Sequence, residues 1–246
     1  MPSFALILPA AGESRRFKDK HYKKPFAPLG DRAVWLHAAE KFLARNDIAQ
    51  SFIVVADDDV DWFREKFAAN LMILGIQVVR GGATRCASVA KALAHVRDDV
   101  EFVCVHDAAR PLVSEIWLDQ LFEAAARSGA AILGQPVTQT LKRVSKDRLV
   151  QETVPREGLW HAHTPQIFRR EILVRAYEGR ADDSATDDAA LVERTGQPVA
   201  VVSGSALNIK ITTREDLKMA AALVKLLPKP RLDQPRHPFA EDDLWR

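Results

Sequence analysis

The chain has 246 residues, 47% of them hydrophobic, with 35 basic and 33 acidic side chains and a formal net charge of +2. That length builds a sizeable core in one domain, and no apolar run approaches the roughly 20 residues that span a bilayer. So balanced a charge gives no field for nucleic acid, so phosphate chemistry, if present, is local.

In chain order, the first β-rich run is "FALILP" (4–9), followed by the small-residue turn "PAAG" and a crowd of cations: Arg15, Arg16, Lys18, Lys20, Lys23 and Lys24, opposed only by Asp19. Further β-rich runs are "SFIVVA" (51–56), "IQVVR" (76–80) and "VEFVCVH" (100–106). Between them lie segments of helical period at 33–44, 60–70 and 85–96. Continuous apolar strands alternating with helices predict an α/β fold, a single Rossmann-like, doubly wound, mostly parallel sheet with its site at the carboxyl ends of the strands. After residue 134 the pattern changes. "LKRV" and "RLVQETV" form a projecting β-hairpin over about 138–156, and its uncovered edge calls for a second copy of the chain, making it a dimerisation arm. Helices return at 169–179 and 186–195, "QPVAVVSG" is the last strand, and Thr213 caps a closing helix. One domain over 1–227 is expected, then a proline-rich charged tail, 228–246. The N-terminus lacks the basic region of a signal peptide. Cys86 and Cys104 lack metal-ligand spacing and read as buried free thiols; a cytoplasmic location is expected.

Four segments carry chemistry. Pro9, Ala10, Ala11 and Gly12 leave backbone N–H groups open to an anion, aided by any helix that starts nearby. Arg16 and Lys24 are counter-charges for a polyphosphate; the plain alternative, a solvated basic loop, is preferred for Lys18 and Lys20. In "GGATRCASV" (81–89), Gly81 and Gly82 permit close backbone approach, Arg85 is cationic and Ser88 can donate from a helix start; a glycine turn with a cap would look the same. In "VHDAARPLV" (105–113), Asp107 ends a strand and can hold Mg²⁺ (or Mn²⁺) on phosphates, with a helix cap as the alternative; Arg110 adds a cation, and His106 reads as structural. Lys210 in "NIKIT" (208–212) reaches the same edge.

Together "PAAGESRRF", "KKPFAPLGDR", "GGATRCASV", "VHDAARPLV", "PVTQTLKRV", "GLWHAHTPQIF", "TDDAALVE" and "NIKITTREDL" resemble the 2-C-methyl-D-erythritol 4-phosphate cytidylyltransferase family over about residues 4–225. The alditol-phosphate cytidylyltransferases share most of these motifs. The resemblance implies cytidylyl transfer from CTP to a polyol phosphate in a homodimer, with neither nucleic acid nor membrane as partner. It implies a nucleotide loop at Pro9, Ala10, Ala11, Gly12 and Arg16, and an essential Lys24, with Lys23 the alternative. It implies cytosine recognition around Gly82, Ala83, Arg85 and Ser88, and a ribose, metal and acceptor segment at Asp107, Ala108 and Arg110. Thr140, Arg156, Thr164, Thr186 and Lys210 fall on the acceptor or phosphate side, Arg156 from the partner's arm. The chain departs from the family pattern with Ser14 for a second glycine, one extra residue between Arg16 and Lys24, Ala83 for an aspartate and Leu207 for an acid. Two other functions stay open: transfer to another alditol or sugar phosphate such as ribitol 5-phosphate, and an inactive nucleotide sensor.

Overall fold

The computed structural model describes residues 2–14, 17 and 22–228. Along the first half run β1 (Phe4–Pro9), the short pair β2 (Pro28–Leu29) and β3 (Arg32–Ala33), α1 (Val34–Leu43), β4 (Ile48–Val55), α2 (Val60–Lys66), α3 (Ala68–Leu74), β5 (Gln77–Arg80), α4 (Arg85–Leu93) and β6 (Phe102–Val105). The second half adds α5 (Glu115–Ser128), β7 (Ala130–Pro136), β8 (Leu141–Val144), β9 (Val150–Val154), β10 (Trp160–Arg169), α6 (Arg170–Glu178), α7 (Asp188–Glu193), β11 (Ala200–Ser203) and α8 (Arg214–Leu223).

Seven strands form one sheet in the order β11-β7-β10-β6-β1-β4-β5. All neighbours are parallel except at β10, which runs antiparallel to both β6 and β7. The expected mostly parallel, doubly wound sheet is therefore present. β1 is apolar on both faces because helices cover both. Phe4, Leu6 and Leu8 face Trp35 and Phe42 of α1 and Leu118 and Leu121 of α5. Ala5 and Ile7 face Val89 of α4 and Leu173 of α6, as the alternation of a strand requires. The chain leaves β1 for β4 on one side and, after β5, crosses back through α4 to β6 on the other, so a crevice opens at the carboxyl ends of β1 and β6.

The single helix expected over 60–70 is instead two, broken at Phe67, whose backbone leaves helical geometry. The ring turns inward onto Trp35 and Phe63, with centroids 5.3 and 4.9 Å away. The expected hairpin is present as β8 and β9, which pair only with each other among the described residues. Its apolar side chains Val144, Leu149 and Val150 are exposed. Thr213 caps α8 in a capping box with Asp216. Cys86 and Cys104 are buried free thiols. The tail from residue 229 lies outside the described residues.

Candidate active site

A cavity of about 410 Å³ opens at the carboxyl ends of β1, β5 and β6. Pro9, Ala10, Ala11 and Gly12 form one wall. A side chain on Gly12 would meet nothing within 4 Å, so the backbone there faces open space. Opposite lie Gly82, Ala83, Arg85 and Ser88. The glycine pair after β5 is a packing necessity: a Cβ on Gly81 would sit 2.7 Å from Ala11 Cβ, and one on Gly82 2.6 Å from Ala87 Cβ. Ser88 is buried, and its hydroxyl accepts from Gly82 N–H at 3.0 Å and donates to Thr84 O at 2.8 Å. It shapes the loop, while Thr84 is the residue that caps α4.

Among the described residues of the loop after β1, the first helical turn is the 3-10 turn at Lys24–Phe26. Ser14 has φ +55°, in the left-handed region that favours glycine. That explains why a glycine suits the position. Here the serine hydroxyl accepts the Lys24 N–H at 3.1 Å. Lys24 lines the cavity, whereas Lys23 is ion-paired 2.5 Å from Asp59. Of the two lysines that the sequence left as alternatives, Lys24 is the one on the cavity lining. Arg16 lies outside the described residues, as do Lys18 and Lys20.

Asp107 forms the floor between this cavity and a smaller one of about 90 Å³. It is not a helix cap, for the next helix begins at Glu115. Its carboxylate meets Lys210 Nζ at 2.6 Å, Arg85 Nε at 3.2 Å and Arg110 Nε at 3.8 Å. Burial alone would raise its pKa, but Arg85, Lys210 and Arg110 outweigh burial and hold it well below the usual carboxylate range. No cluster of three metal-ligating side chains exists among the described residues. Leu207 packs against the core beneath the sheet and does not line either cavity, so an acid at that position would have to turn away from the core to face a metal. Ala108 is also turned away: it is fully buried with its amide bonded to Pro9 O, and its neighbour Ala109 lines the cavity instead.

The smaller cavity adds Arg110, Thr164 and Thr186 to Arg85, Asp107 and Lys210. A hydrogen-bonded ring holds its frame. Asp107 N–H donates to Thr164 Oγ1 at 3.0 Å, and Thr164 meets His106 Nδ1 at 3.3 Å. His106 Nε2 lies 2.9 Å from Arg110 O, Arg110 donates to Asn208 O at 2.7 Å, and Asn208 donates back to Thr164 O at 2.9 Å. Burial pushes the His106 pKa down to about 4, so the imidazole is neutral and structural, as the sequence suggested. Thr164 positions Asp107 with both sides of its hydroxyl engaged. Arg85 bridges Asp107 and the fully buried Asp188, 2.8 Å from its Nη2, and Tyr177 donates to Asp188 at 2.5 Å. Asp188, Tyr177, Gln166, His163 and Asn208 were not singled out in the sequence. The motif "TDDAALVE" was the available signal for the buried acid. Thr140 and Arg156 reach neither cavity of their own chain. Both are exposed on the hairpin arm, where Arg156 donates to Thr138 O.

The chain is similar to known proteins over nearly all of its described length. The family model for 2-C-methyl-D-erythritol 4-phosphate cytidylyltransferase matches residues 4–226. Enzymes of that name from Rhodopirellula baltica and Solibacter usitatus are 43% and 37% identical, over 90% and 88% of this chain and 95% and 93% of their own. The crystal structure of that enzyme from Thermus thermophilus is 33% identical with a TM-score of 0.73, covering 92% of this chain and 100% of its own.

Proposed function

The chain belongs to the 2-C-methyl-D-erythritol 4-phosphate cytidylyltransferase family, and from that premise we propose how its two cavities divide the reaction. The enzyme transfers a cytidylyl group from CTP to 2-C-methyl-D-erythritol 4-phosphate, giving the CDP-alditol and pyrophosphate in isoprenoid precursor synthesis. The observation that carries the division is the shared wall: Asp107, Arg85 and Lys210 line both cavities, as groups between two reacting ligands must. CTP takes the larger cavity, whose volume falls in the ordinary range for ligand sites. The acceptor takes the smaller.

An acceptor phosphate oxygen attacks the α-phosphorus. The new P–O bond forms as the α–β bridging bond breaks, and pyrophosphate leaves with the electron pair. The nucleophile is already an anion, so no base is required, and His106, engaged at both ring nitrogens, is not asked to act as one. Catalysis is positioning and charge neutralisation. Lys24, Arg16 and Lys210 supply the positive charge, the Pro9–Gly12 loop takes the phosphates, and Gly82, Ala83 and the Ser88-braced loop face the base. Magnesium fits as a companion of the triphosphate, with phosphate oxygens and water as most of its ligands and Asp107 the one nearby carboxylate of the shared wall. When bound it offsets charge on the phosphates.

We further infer a homodimer in which Thr140 and Arg156 serve the partner's acceptor cavity. The apolar exposure of Val144, Leu149 and Val150 on an otherwise unpaired hairpin supports this reading. No helix among the described residues is long and apolar enough to cross a membrane, and a cytoplasmic enzyme is proposed. Transfer to another alditol phosphate is not favoured, since the relatives bear the erythritol name. The inactive reading is not favoured either, because Lys24, Asp107 and Lys210 all line the cavity. Pyrophosphate release with CTP, Mg²⁺ and a panel of polyol phosphates tests the assignment. Turnover is expected with 2-C-methyl-D-erythritol 4-phosphate; a preference for ribitol 5-phosphate, or no release with any acceptor, overturns it.

A further inference from the structure

His163 stands on β10 just before the cis Thr164–Pro165 bond and lines the smaller cavity. Most polar groups around it are already answered within the chain. The Thr164 hydroxyl is engaged with Asp107 N–H and His106. Gln166 donates to Asp187 at 2.8 Å and accepts from Ala189 N–H at 3.0 Å. Lys210 holds Asp107 at 2.6 Å. Three buried atoms of the cavity's lining residues have no hydrogen-bond partner among the described residues, His163 Nδ1, Arg110 Nε and Arg85 Nη2; the last is ion-paired with Asp188 at 2.8 Å, which leaves the first two. The Arg110 Nε to Asp107 distance of 3.8 Å is beyond hydrogen-bond reach. Buried polar atoms are rarely left unpaired, and these two belong to residues lining one small cavity.

Their chemistry specifies what would satisfy them. The guanidinium only donates. Burial first, with Arg110 adding to it, pushes the His163 pKa down to about 4, so the ring is neutral and keeps a lone pair. With the ring proton on Nε2, Nδ1 is the acceptor, and one donor with one acceptor on the lining of the same cavity matches a hydroxyl, which both accepts and donates. A phosphate oxygen could answer only the arginine. We propose that His163 and Arg110 clamp one hydroxyl of the polyol acceptor, which donates to His163 Nδ1 and accepts from Arg110 Nε–H, making His163 a specificity residue for the acceptor. The proposal rests on assigning the smaller cavity to the acceptor.

The test is steady-state kinetics of His163→Leu and His163→Asn with 2-C-methyl-D-erythritol 4-phosphate and its singly deoxygenated analogues. Loss of one hydrogen bond of ordinary strength predicts an acceptor KM raised roughly five- to tenfold in His163→Leu, with kcat and the CTP KM within about twofold of wild type. Asn, which keeps a polar atom near the Nδ1 position, restores part of the loss. One analogue should be poor for wild type yet no worse for His163→Leu, because both changes delete the same contact. An unchanged acceptor KM, or penalties that multiply for every analogue, overturns the clamp. If the leucine variant does not fold, ¹⁵N-histidine spectra of the wild type decide: the His163 Nδ1 resonance moves on adding acceptor, and its failure to move overturns the proposal. Absence of wild-type turnover with any polyol phosphate would overturn the cavity assignment, and the clamp with it.

Discussion

Lys23 and Lys24 are adjacent in sequence, yet one is paired with Asp59 and the other lines the larger cavity. Lys24→Ala is expected to lower kcat by about 10²–10³, the usual cost of one preorganised charge donor, with CTP binding changed far less. Lys23→Ala removes a half-exposed ion pair and is expected to cost no more than about 1 kcal/mol in stability, with near-normal turnover. Kinetics and urea titration of the two variants would expose a reversed assignment. His106 makes a different demand, on pH. Its native pKa of about 4 lies below the ordinary 6.5 because of burial. As pH falls through 6.5 the unfolded chain takes up a proton that native His106 refuses until about pH 4. The stability this residue contributes is therefore complete above pH 6.5 and declines between 6.5 and 4, by about 3 kcal/mol at most. The depressed carboxyl of Asp107 acts lower still, its contribution persisting above the ordinary carboxylate pKa and fading only as pH falls below it. Thermal unfolding should show Tm falling from about pH 7 to about pH 4.5, with a shallower slope in His106→Gln; identical slopes in the two proteins would refute the assignment.

At the scale of elements, the turn from β5 into α4 bears the tightest packing of the nucleotide side. A Cβ on Gly82 would fall 2.6 Å from Ala87 Cβ and 3.0 Å from its backbone carbon. Helix α4 cannot absorb that without moving, and Arg85 and Ser88 would move with it. Gly82→Ala is expected to weaken CTP binding about tenfold or more, a loss of the size that overpacking commonly imposes, while the acceptor KM changes less; calorimetric titration with CTP checks it, and unaltered affinity would contradict it. This half of the protein was readable from the sequence for a physical reason. Parallel strands buried on both faces, such as β1 and β6, are continuous apolar runs, and residues just after them, Gly82, Asp107 and the small-residue loop, fall at one edge. The other wall was not readable. β10 runs against the rest of the sheet, with its first residues exposed and only its later ones buried. Periodicity does not reveal that Gln166 on this strand donates to Asp187, the cap of α7, and accepts from Ala189 N–H, or that His163 lines the same small cavity. Helix α5, between caps at Ser114 and Gly129, carried its own signals, yet its place in the pattern was passed over. Ala108 was assigned to the site through a motif, and tertiary packing turned it toward the core.

The whole molecule presents its hairpin arm outward, with Arg156 remote from both cavities of its own chain. If arms are exchanged between copies, Arg156→Ala raises the acceptor KM by roughly tenfold or more, the cost of a lost charged hydrogen bond, and leaves CTP binding nearly unchanged. Mixing Arg156→Ala chains with Lys24→Ala chains then restores one intact site per mixed dimer, and activity returns. Proven formation of mixed dimers without recovered activity would sink the exchange. A further consequence follows from the wall that both cavities share. A triphosphate that recruits Lys210 shares or replaces its 2.6 Å contact with Asp107, and the acceptor then meets an altered surface. Occupancy of one cavity thus enters the affinity of the other, and linkage makes the effect mutual: the factor by which CTP changes acceptor affinity equals the factor by which the acceptor changes CTP affinity. The four dissociation constants close a thermodynamic square, so any three of them determine the last.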